Sequence, residues 1–319
     1  MTSRELLYVK TVADERSISR AAKKLFIAQP SLSQSLQRIE DTLGTALFNR
    51  TAGGLTLTYA GERYYQIACQ ILKIYEDFET EISDLNDLKT GRIHMGITNH
   101  LGTLVLPQVI PAFRKDCPYV ELYVSEETTE KLEASLLSGK NDFAILHAPK
   151  KDPHPMLNYE HLAKDPFVIA LAPGHPLIEK AQEREGYAHP VLDPKLLKNE
   201  PFIMLTKEQR IRHVSDAILS QARITPNIAL TLRNYETAKS LAGKGVGVTF
   251  LPEDYARLSY TDCPPVLLSI DEKYNPSWDL CITTLRGGFL SRADQYFLSL
   301  VRASFSKNPT STSSGMGRA

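Results

Sequence analysis

The side chains with the clearest chemical purpose lie close together: Ser31, Ser33, Gln34, Gln37 and Arg38. They are hydroxyls, primary amides and a guanidinium, with no carboxylate among them before Glu40. An ordinary surface helix would be filled with Lys, Glu and Arg instead. Amides and hydroxyls suit the base edges of a DNA major groove, where Gln pairs with adenine, Arg with guanine, and Ser donates or accepts. Ser19, Arg20, Gln29 and Pro30 stand upstream and Arg50 downstream. Between Ser17 and Thr58, five basic residues (Arg20, Lys23, Lys24, Arg38 and Arg50) face two acidic ones (Glu40 and Asp41), a local excess of three positive charges. Contact with phosphates needs such an excess.

Two helices and a hairpin would hold these groups in place. Ala21 and Ala22, followed by Leu25, predict a first helix that another can cross closely, with Ser19 a suitable cap. Phe26, Ile27 and Ala28 form a turn. Pro30 fits the first position of a second helix, where its missing N–H does no harm, and Leu32, Leu36 and Ile39 give that helix one apolar edge. Polar groups at the start of a second helix match the docking of a helix-turn-helix recognition helix. The competing reading is a plain helical hairpin. Leu47, Phe48, Leu55 and Leu57 flank Ala52-Gly53-Gly54, which reads as a hairpin, or wing. Thr2 and Glu5 are spaced as a capping box ahead of Leu6, Val9 and Ala13, predicting a helix beneath this unit.

With 319 residues, 42% hydrophobic and 23% charged, the chain has an ordinary globular composition and room for two or three structural units. Lys plus Arg and Asp plus Glu are both 37, so the basic N-terminal patch is balanced by acidic surface elsewhere. There is no run of about 18 apolar residues and no secretion signal in MTSRELLYVK, which points to a cytoplasmic protein with no membrane partner. Cys69, Cys117, Cys263 and Cys281 lack C-x-x-C spacing and read as unpaired thiols, with a redox pair the lesser alternative. No G-x-S-x-G, H-E-x-x-H or G-x-x-x-x-G-K-[ST] occurs, and the eight histidines show no metal-ligand spacing. The expectation is therefore no enzyme, no metal and no cofactor.

After Thr58, a proline-free stretch predicts a long helix from about Tyr59 to Leu88, roughly 45 Å at 1.5 Å per residue. Tyr64, Ile71, Phe78 and Leu85 recur every seven residues, and Ala68, Tyr75 and Ile82 follow four after the first three, the pattern of a coiled-coil seam. A dimer through this helix is expected; the alternative packs the seam on the chain's own later domain. NDLKTGR reads as a joint. Beyond it, strands and helices alternate: strands at 93–98, 120–125 and 143–146, helices at 105–115 and 130–137. A second unit has strands at 167–171, 202–205, 228–232 and 246–250, and helices at 209–221 and from Tyr235. Such alternation implies a parallel sheet with helices on both faces and ligand sites beyond the carboxyl ends of the strands. Gly243, Gly245 and Gly247 follow a helix and precede a strand, the reverse of a dinucleotide fingerprint, so tight turning is the better explanation. Strands at 266–270 and 280–285 and a helix at 289–305 complete the pattern, and residues 306–319 read as a disordered tail.

The run from Ser19 to Gly61, SRAAKKLFIAQPSLSQSLQRIEDTLGTALFNRTAGGLTLTYAG, closely resembles the winged helix-turn-helix of LysR-type transcriptional regulators in motif order, spacing and the Gln29-Pro30-Ser31 start of the recognition helix. The resemblance implies an N-terminal winged helix-turn-helix DNA-binding domain (1–58), a linker and dimerisation helix (59–90), and a C-terminal α/β effector-binding domain (91–305) of two subdomains, like a type II periplasmic binding protein. Subdomain I would be 91–162 with 268–305 and subdomain II 163–267, with crossovers near His161–Lys164 and Val266–Ser269. Implied partners are double-stranded DNA, a small-molecule effector, further copies of the chain as a dimer or tetramer, and RNA polymerase.

For the effector site, Thr98, Asn99 and His100, and then Thr128 and Thr129, follow strands and precede helices, whose free N–H groups favour an anion such as a carboxylate. These hydroxyls would equally well cap their helices without a ligand. His147 ends its strand and either faces a cleft or sits half-exposed in a loop; Thr206 and Val248 complete the set from the second subdomain. Many members of the resembling family carry arginine where this chain has His147, which argues against a strongly acidic ligand and for pH-sensitive binding. The alternative function is a soluble solute-binding or enzymatic α/β protein with an N-terminal interaction module.

Overall fold

The computed structural model describes residues 2–51, 54–84, 90–149, 152–258 and 262–306. The first helix, α1 (Ser3–Glu15), opens on the expected capping box: Glu5 N–H donates to Thr2 Oγ1, and Thr2 N–H donates to a Glu5 carboxylate oxygen at 2.7 Å. Then come α2 (Ile18–Lys24) and α3 (Gln29–Leu43). The α2 cap is Ser17 rather than Ser19; the Ser19 hydroxyl instead donates to Gln29 Oε1 at 2.9 Å, tying the two helices together. Leu32, Leu36 and Ile39 of α3 pack with Leu6, Val9, Val12, Ala21 and Ala22 in one core, which the alanine pair lets close tightly. The hairpin β1 (Phe48–Thr51) and β2 (Gly54–Leu57) is antiparallel, as the sequence predicts; Ala52 and Gly53 lie outside the described residues. Glu40 is occupied here, its carboxylate accepting from the N–H groups of Leu47 (2.6 Å) and Phe48 (3.2 Å).

Helix α4 (Tyr59–Asp84) follows. Gly61 is required near its start, since a Cβ there would lie 2.0 Å from the Leu47 carbonyl oxygen. Two of the predicted seam positions are taken by the chain's own core. Tyr64 and Ala68 are buried in the N-terminal core and are unavailable to a partner. Beyond the first turn, the large apolar side chains that remain exposed among the described residues of α4 are Ile67 (41%), Ile74 (66%), Tyr75 (55%) and Phe78 (60%). With Ile71, the positions 67, 71, 74 and 78 restore the alternating four and three spacing of a seam. Leu85, the side chain of Ile82, residues 86–89 of the expected joint and residues 307–319 of the tail lie outside the described residues.

The middle of α4 also packs on its own chain. Lys73 Nζ pairs with Asp77 at 2.8 Å and with Asp142 of the later domain. Lys140 lies 3.6 Å from Asp14 of α1 and over the Tyr65 ring.

Strands β3 (Thr90–Ile97), β4 (Tyr119–Glu126) and β5 (Phe143–His147) are parallel, joined by α5 (Asn99–Asp116) and α6 (Thr129–Leu137). Helix α5 begins six residues earlier than the sequence suggests and contains Pro107 and Pro111. The expected all-parallel sheet is not what forms. Strand β6 (Leu157–Leu171) runs unbroken through the region assigned to the first crossover, and β11 (Ser277–Leu285) lies antiparallel between it and β5. These two long strands are the crossovers. The stretch at 266–269, assigned to the second crossover, is instead β10 (Val266–Ser269), paired with Val168–Leu171 inside the second subdomain. That subdomain also contains the parallel pair β7 (Pro201–Leu205) and β8 (Asn227–Leu232), β9 (Thr249–Pro252) on the edge of β6, and helices α7 (Arg210–Gln221), α8 (Tyr235–Gly243) and α9 (Glu253–Leu258). Helix α10 (Arg292–Ser306) returns to cover β3 and α5 with Phe297, Leu298 and Val301.

The three glycines at and after the end of α8 serve the turn, as expected. A Cβ on Gly243 would meet the Cys263 carbonyl at 2.0 Å, Gly245 has φ +79°, and a Cβ on Gly247 would lie 2.6 Å from the Pro201 carbonyl. None of the four cysteines forms a disulfide.

Candidate functional site

On the N-terminal unit, Ser19, Arg20, Gln29, Pro30, Ser31, Gln34, Gln37, Arg38 and Arg50 are all exposed, and Ser33 is half-buried. They are not equally available. Arg20 pairs with the Glu15 carboxylate at 3.8 Å and donates to its carbonyl, Gln37 donates to Asp41 at 2.9 Å, and Ser19 is held by Gln29. Among the described residues, the side chains of Gln34, Arg38 and Arg50 make no hydrogen bond within the chain, which leaves them for another molecule.

The second site is a cavity of about 510 Å³ between the two α/β subdomains. Four helices point their N-termini into it: α5 at Thr98 and Asn99, α6 at Thr128 and Thr129, α7 at Gln209 and Arg210, and α8 at Asn234 and Tyr235. Each such end carries a partial positive charge; those of α5, α6 and α7 have no side-chain cap bond, whereas at α8 Asn234 Oδ1 accepts from the N–H groups of Glu236 and Thr237. Neither Thr98 nor Thr128 uses its hydroxyl to cap its helix, and the buried Thr98 Oγ1 has no partner among the described residues. The capping explanation for these two residues therefore fails. Exposed charges ring the mouth: Glu126, Glu127, Glu130 and Glu208 against Arg233.

The floor is aromatic and nearly uncharged. His147 is buried, 2% exposed, which excludes the half-exposed loop position; its ring stacks on Trp278 at 3.8 Å and on His100 at 4.9 Å. Tyr235 meets His100 edge-on, and Tyr255 meets Tyr235. Behind them Asp165, on β6, accepts from Trp278 Nε1 at 2.8 Å and lies 3.4 Å from His147 Nε2. Burial pushes both imidazoles down to about 3 and the Asp165 carboxyl up to about 6.

Six of the expected effector residues, Thr98, Asn99, His100, Thr128, Thr129 and His147, thus come together around one cavity. Two do not line it. The Thr206 hydroxyl bonds to Gln209 Oε1 at 3.1 Å, and Val248 is buried where it bridges Phe202 in the second core. The residue that crosses from the second subdomain is Arg210, which donates to the His147 carbonyl at 3.0 Å and pairs with Glu130 at 2.9 Å. Asp165, Trp278 and Tyr255 were also missed. The expectation of scattered histidines needs correction as well, because His100, His147 and Asp165 each offer a ligand atom within 4.8 Å of the others.

A DNA-reading helix with a wing, joined by a long helix to a two-lobed ligand domain, is the architecture of a ligand-responsive transcriptional regulator. Residues 3–62 match the bacterial regulatory helix-turn-helix of the lysR family, and residues 86–306 match the LysR substrate binding domain. The chain belongs to the LysR family of transcriptional regulators. It is 29% identical over 306 residues to the uncharacterized HTH-type transcriptional regulator YcgK of Bacillus subtilis, covering 93% of each chain. It is also 29% identical over 252 residues to a hydrogen peroxide-inducible genes activator of Pectobacterium carotovorum, covering 79% of this chain and 80% of that one. Full-length OxyR from Pseudomonas aeruginosa shares the fold with a TM-score of 0.74 at 22% identity, over 98% of this chain and 96% of that one. CbnR does so with a TM-score of 0.61 at 19% identity, over 95% and 99%. Like its relatives the chain is a regulator and not an enzyme, and among its described residues no helix is long and apolar enough to cross a membrane.

Proposed function

We propose that the chain reads double-stranded DNA with the N-terminal part of α3 and binds a small organic acid between its two α/β subdomains, the acid shifting how the DNA is held. The protein acts in the cytoplasm as a dimer or tetramer, with residues 1–58 as the DNA-binding unit, 59–90 as linker and dimerisation helix, and 91–305 as the effector unit. Gln34 and Arg38 contact bases; Ser19, Gln29, Pro30, Ser31, Ser33 and Gln37 shape the surface around them, and Arg20 and Arg50 meet phosphates. RNA polymerase is the partner through which the bound regulator acts.

The convergence of four helix N-termini on one cavity carries the effector reading. A carboxylate placed there would receive N–H groups already oriented toward it, with Arg210 closing from the second subdomain and the aromatic floor flanking the organic body. The test has two parts. Gel shifts with genomic fragments at two salt concentrations should leave a specific complex after non-specific binding is lost. A thermal-shift screen of small organic acids should give a hit, and an acid at 100 times its dissociation constant should add about 2.7 kcal/mol. Thr98→Val and Thr129→Val should each weaken that hit. A hit indifferent to both substitutions would remove the acid from this cavity.

A further inference from the structure

The floor of the cavity contains a group of atoms that a purely organic ligand leaves unexplained. His147 and Asp165 are 2% and 4% exposed. His100 Nε2 and His147 Nε2 are buried and neither has a hydrogen-bond partner among the described residues, while the buried Asp165 carboxylate beside them is held by neutral donors, Trp278 Nε1 and the Asp254 backbone N–H. Leaving one such polar atom unpaired is costly, and a desolvated carboxylate is costlier still. Two such nitrogens beside a buried carboxylate, from three different elements, indicate that something else satisfies them. His100 comes from the first turn of α5, His147 from the end of β5, and Asp165 from the crossover strand β6.

We propose that His100, His147 and Asp165 bind a divalent transition-metal ion. Two neutral imidazoles and one carboxylate form a donor set suited to zinc, iron, cobalt or nickel. One ligand atom from each residue already lies within 4.8 Å of the others. The 3.4 Å between His147 Nε2 and Asp165 Oδ2 is the spacing of two ligands on a tetrahedral ion with bonds of about 2.1 Å. The surroundings fit as well: Trp278 Nε1 holds the carboxylate at 2.8 Å and its ring stacks on His147 at 3.8 Å, fixing both side chains in the way that outer partners fix metal ligands. Three protein ligands leave a coordination position open toward the cavity. A carboxylate entering there would complete the ion's coordination while its oxygens meet the helix N-termini. The inference deepens the effector reading and rests on the cavity being the effector site; it makes the ion part of the binding surface for the acid.

The full-length protein, stripped with chelator and dialysed, is titrated with Co²⁺, whose visible absorption reports low-coordinate nitrogen and oxygen ligation. One Co²⁺ per chain should bind with such a spectrum and be displaced by Zn²⁺. His100→Gln and Asp165→Asn should each weaken binding at least tenfold, whereas His94→Gln, which alters a half-buried histidine outside the cavity, should not. Circular dichroism on each variant reports whether it is folded. For any variant that is not, a competition readout on wild type replaces it: the organic acid should change the Co²⁺ spectrum. The proposal is overturned if the wild type takes up no Co²⁺, or if His100→Gln and Asp165→Asn, both folded, bind it as wild type does. Absent Co²⁺ binding with an intact thermal response to an organic acid would sink the metal and leave the effector reading standing. Co²⁺ binding in a protein indifferent to every acid would sink the effector reading and leave the metal.

Discussion

Replacing both Ile74 and Phe78 with aspartate should halve the mass of the particle in solution. Ile67, Ile74, Tyr75 and Phe78 keep between 41% and 66% of their surface exposed along one side of α4. Fully burying a side chain of this kind is worth about 1.5–3 kcal/mol, so each still has roughly 1–2 kcal/mol to gain from a partner. Four on each of two helices give a gross gain on the order of 8–16 kcal/mol, against an association cost of about 4–15 kcal/mol. Removing Ile74 and Phe78 from both helices takes away about half of that gain, and the introduced carboxylates add a desolvation cost in the seam. A loss of about 4 kcal/mol or more weakens association roughly a thousandfold. Light scattering on the full-length chain at micromolar concentration is the assay: a dimer becomes a monomer, or a tetramer a dimer. Tyr59→Asp, which alters an exposed aromatic at the opposite end of the helix, should leave the mass unchanged. A monomeric wild type would refute the reasoning, and so would a double variant of wild-type mass.

Gln34→Ala or Arg38→Ala should relax base discrimination by about 1–3 kcal/mol at one position each, whereas Arg50→Ala should weaken binding to all sequences and reduce the salt slope by about one; binding-site selection on each variant reads the difference, and unchanged preference in the first two would undo the recognition-helix assignment. Arg210→Ala removes the bond to the His147 carbonyl and the pair with Glu130, interactions worth about 1.5–3 kcal/mol for a charged donor, and should shrink the thermal shift given by an organic acid without changing DNA retention in its absence. Asp294, buried in the first turn of α10, accepts from Ser291 and has its carboxyl pushed up by burial to about 7 from 3.8, with Asp142 and Lys73 nearby. An acid whose pKa is higher in the folded state contributes stability below its unfolded value and loses it as pH rises, so Asp294 should cost stability between about pH 4 and 7, at about 1.4 kcal/mol per pH unit. Asp294→Asn should flatten melting temperature against pH in that window; a slope equal to wild type would show that Asp294 is not the group responsible.

The N-terminal unit could be read closely from sequence because its signals are local: a capping box three residues across, an alanine pair, and a proline at a helix start. Where pairing is long-range the reading failed. The sequence starts a strand only at Phe167, yet β6 begins at Leu157, because β11, more than a hundred residues later, pairs with it from Leu157 to Pro166 with a register shift between Leu280 and Cys281. The predicted seam included Tyr64 and Ala68 because the heptad pattern could not tell which apolar side chains the chain's own core would take. The pocket was half legible. Residues after strands and before helices were placed correctly by the geometry of α/β units, but Thr206 was preferred to Arg210 because a hydroxyl beside a strand end is a local cue, whereas the reach of an arginine across the cleft depends on how the lobes face each other. His100, His147 and Asp165 share no motif, and only the sheet brings them together.

The contact between Lys73 and Asp142 makes α4 a lever whose fulcrum sits on the ligand domain. Asp142 immediately precedes β5, which ends at His147 in the cavity floor, so a strand of five residues connects the fulcrum to the cavity. Lys73 lies fourteen residues from the start of α4, an arm of about 21 Å at 1.5 Å per residue. A tilt of about 5° at the fulcrum would carry the wing roughly 2 Å, a displacement too small to notice beside the pocket and large enough, opposed in two protomers, to change whether both recognition helices seat in successive major grooves.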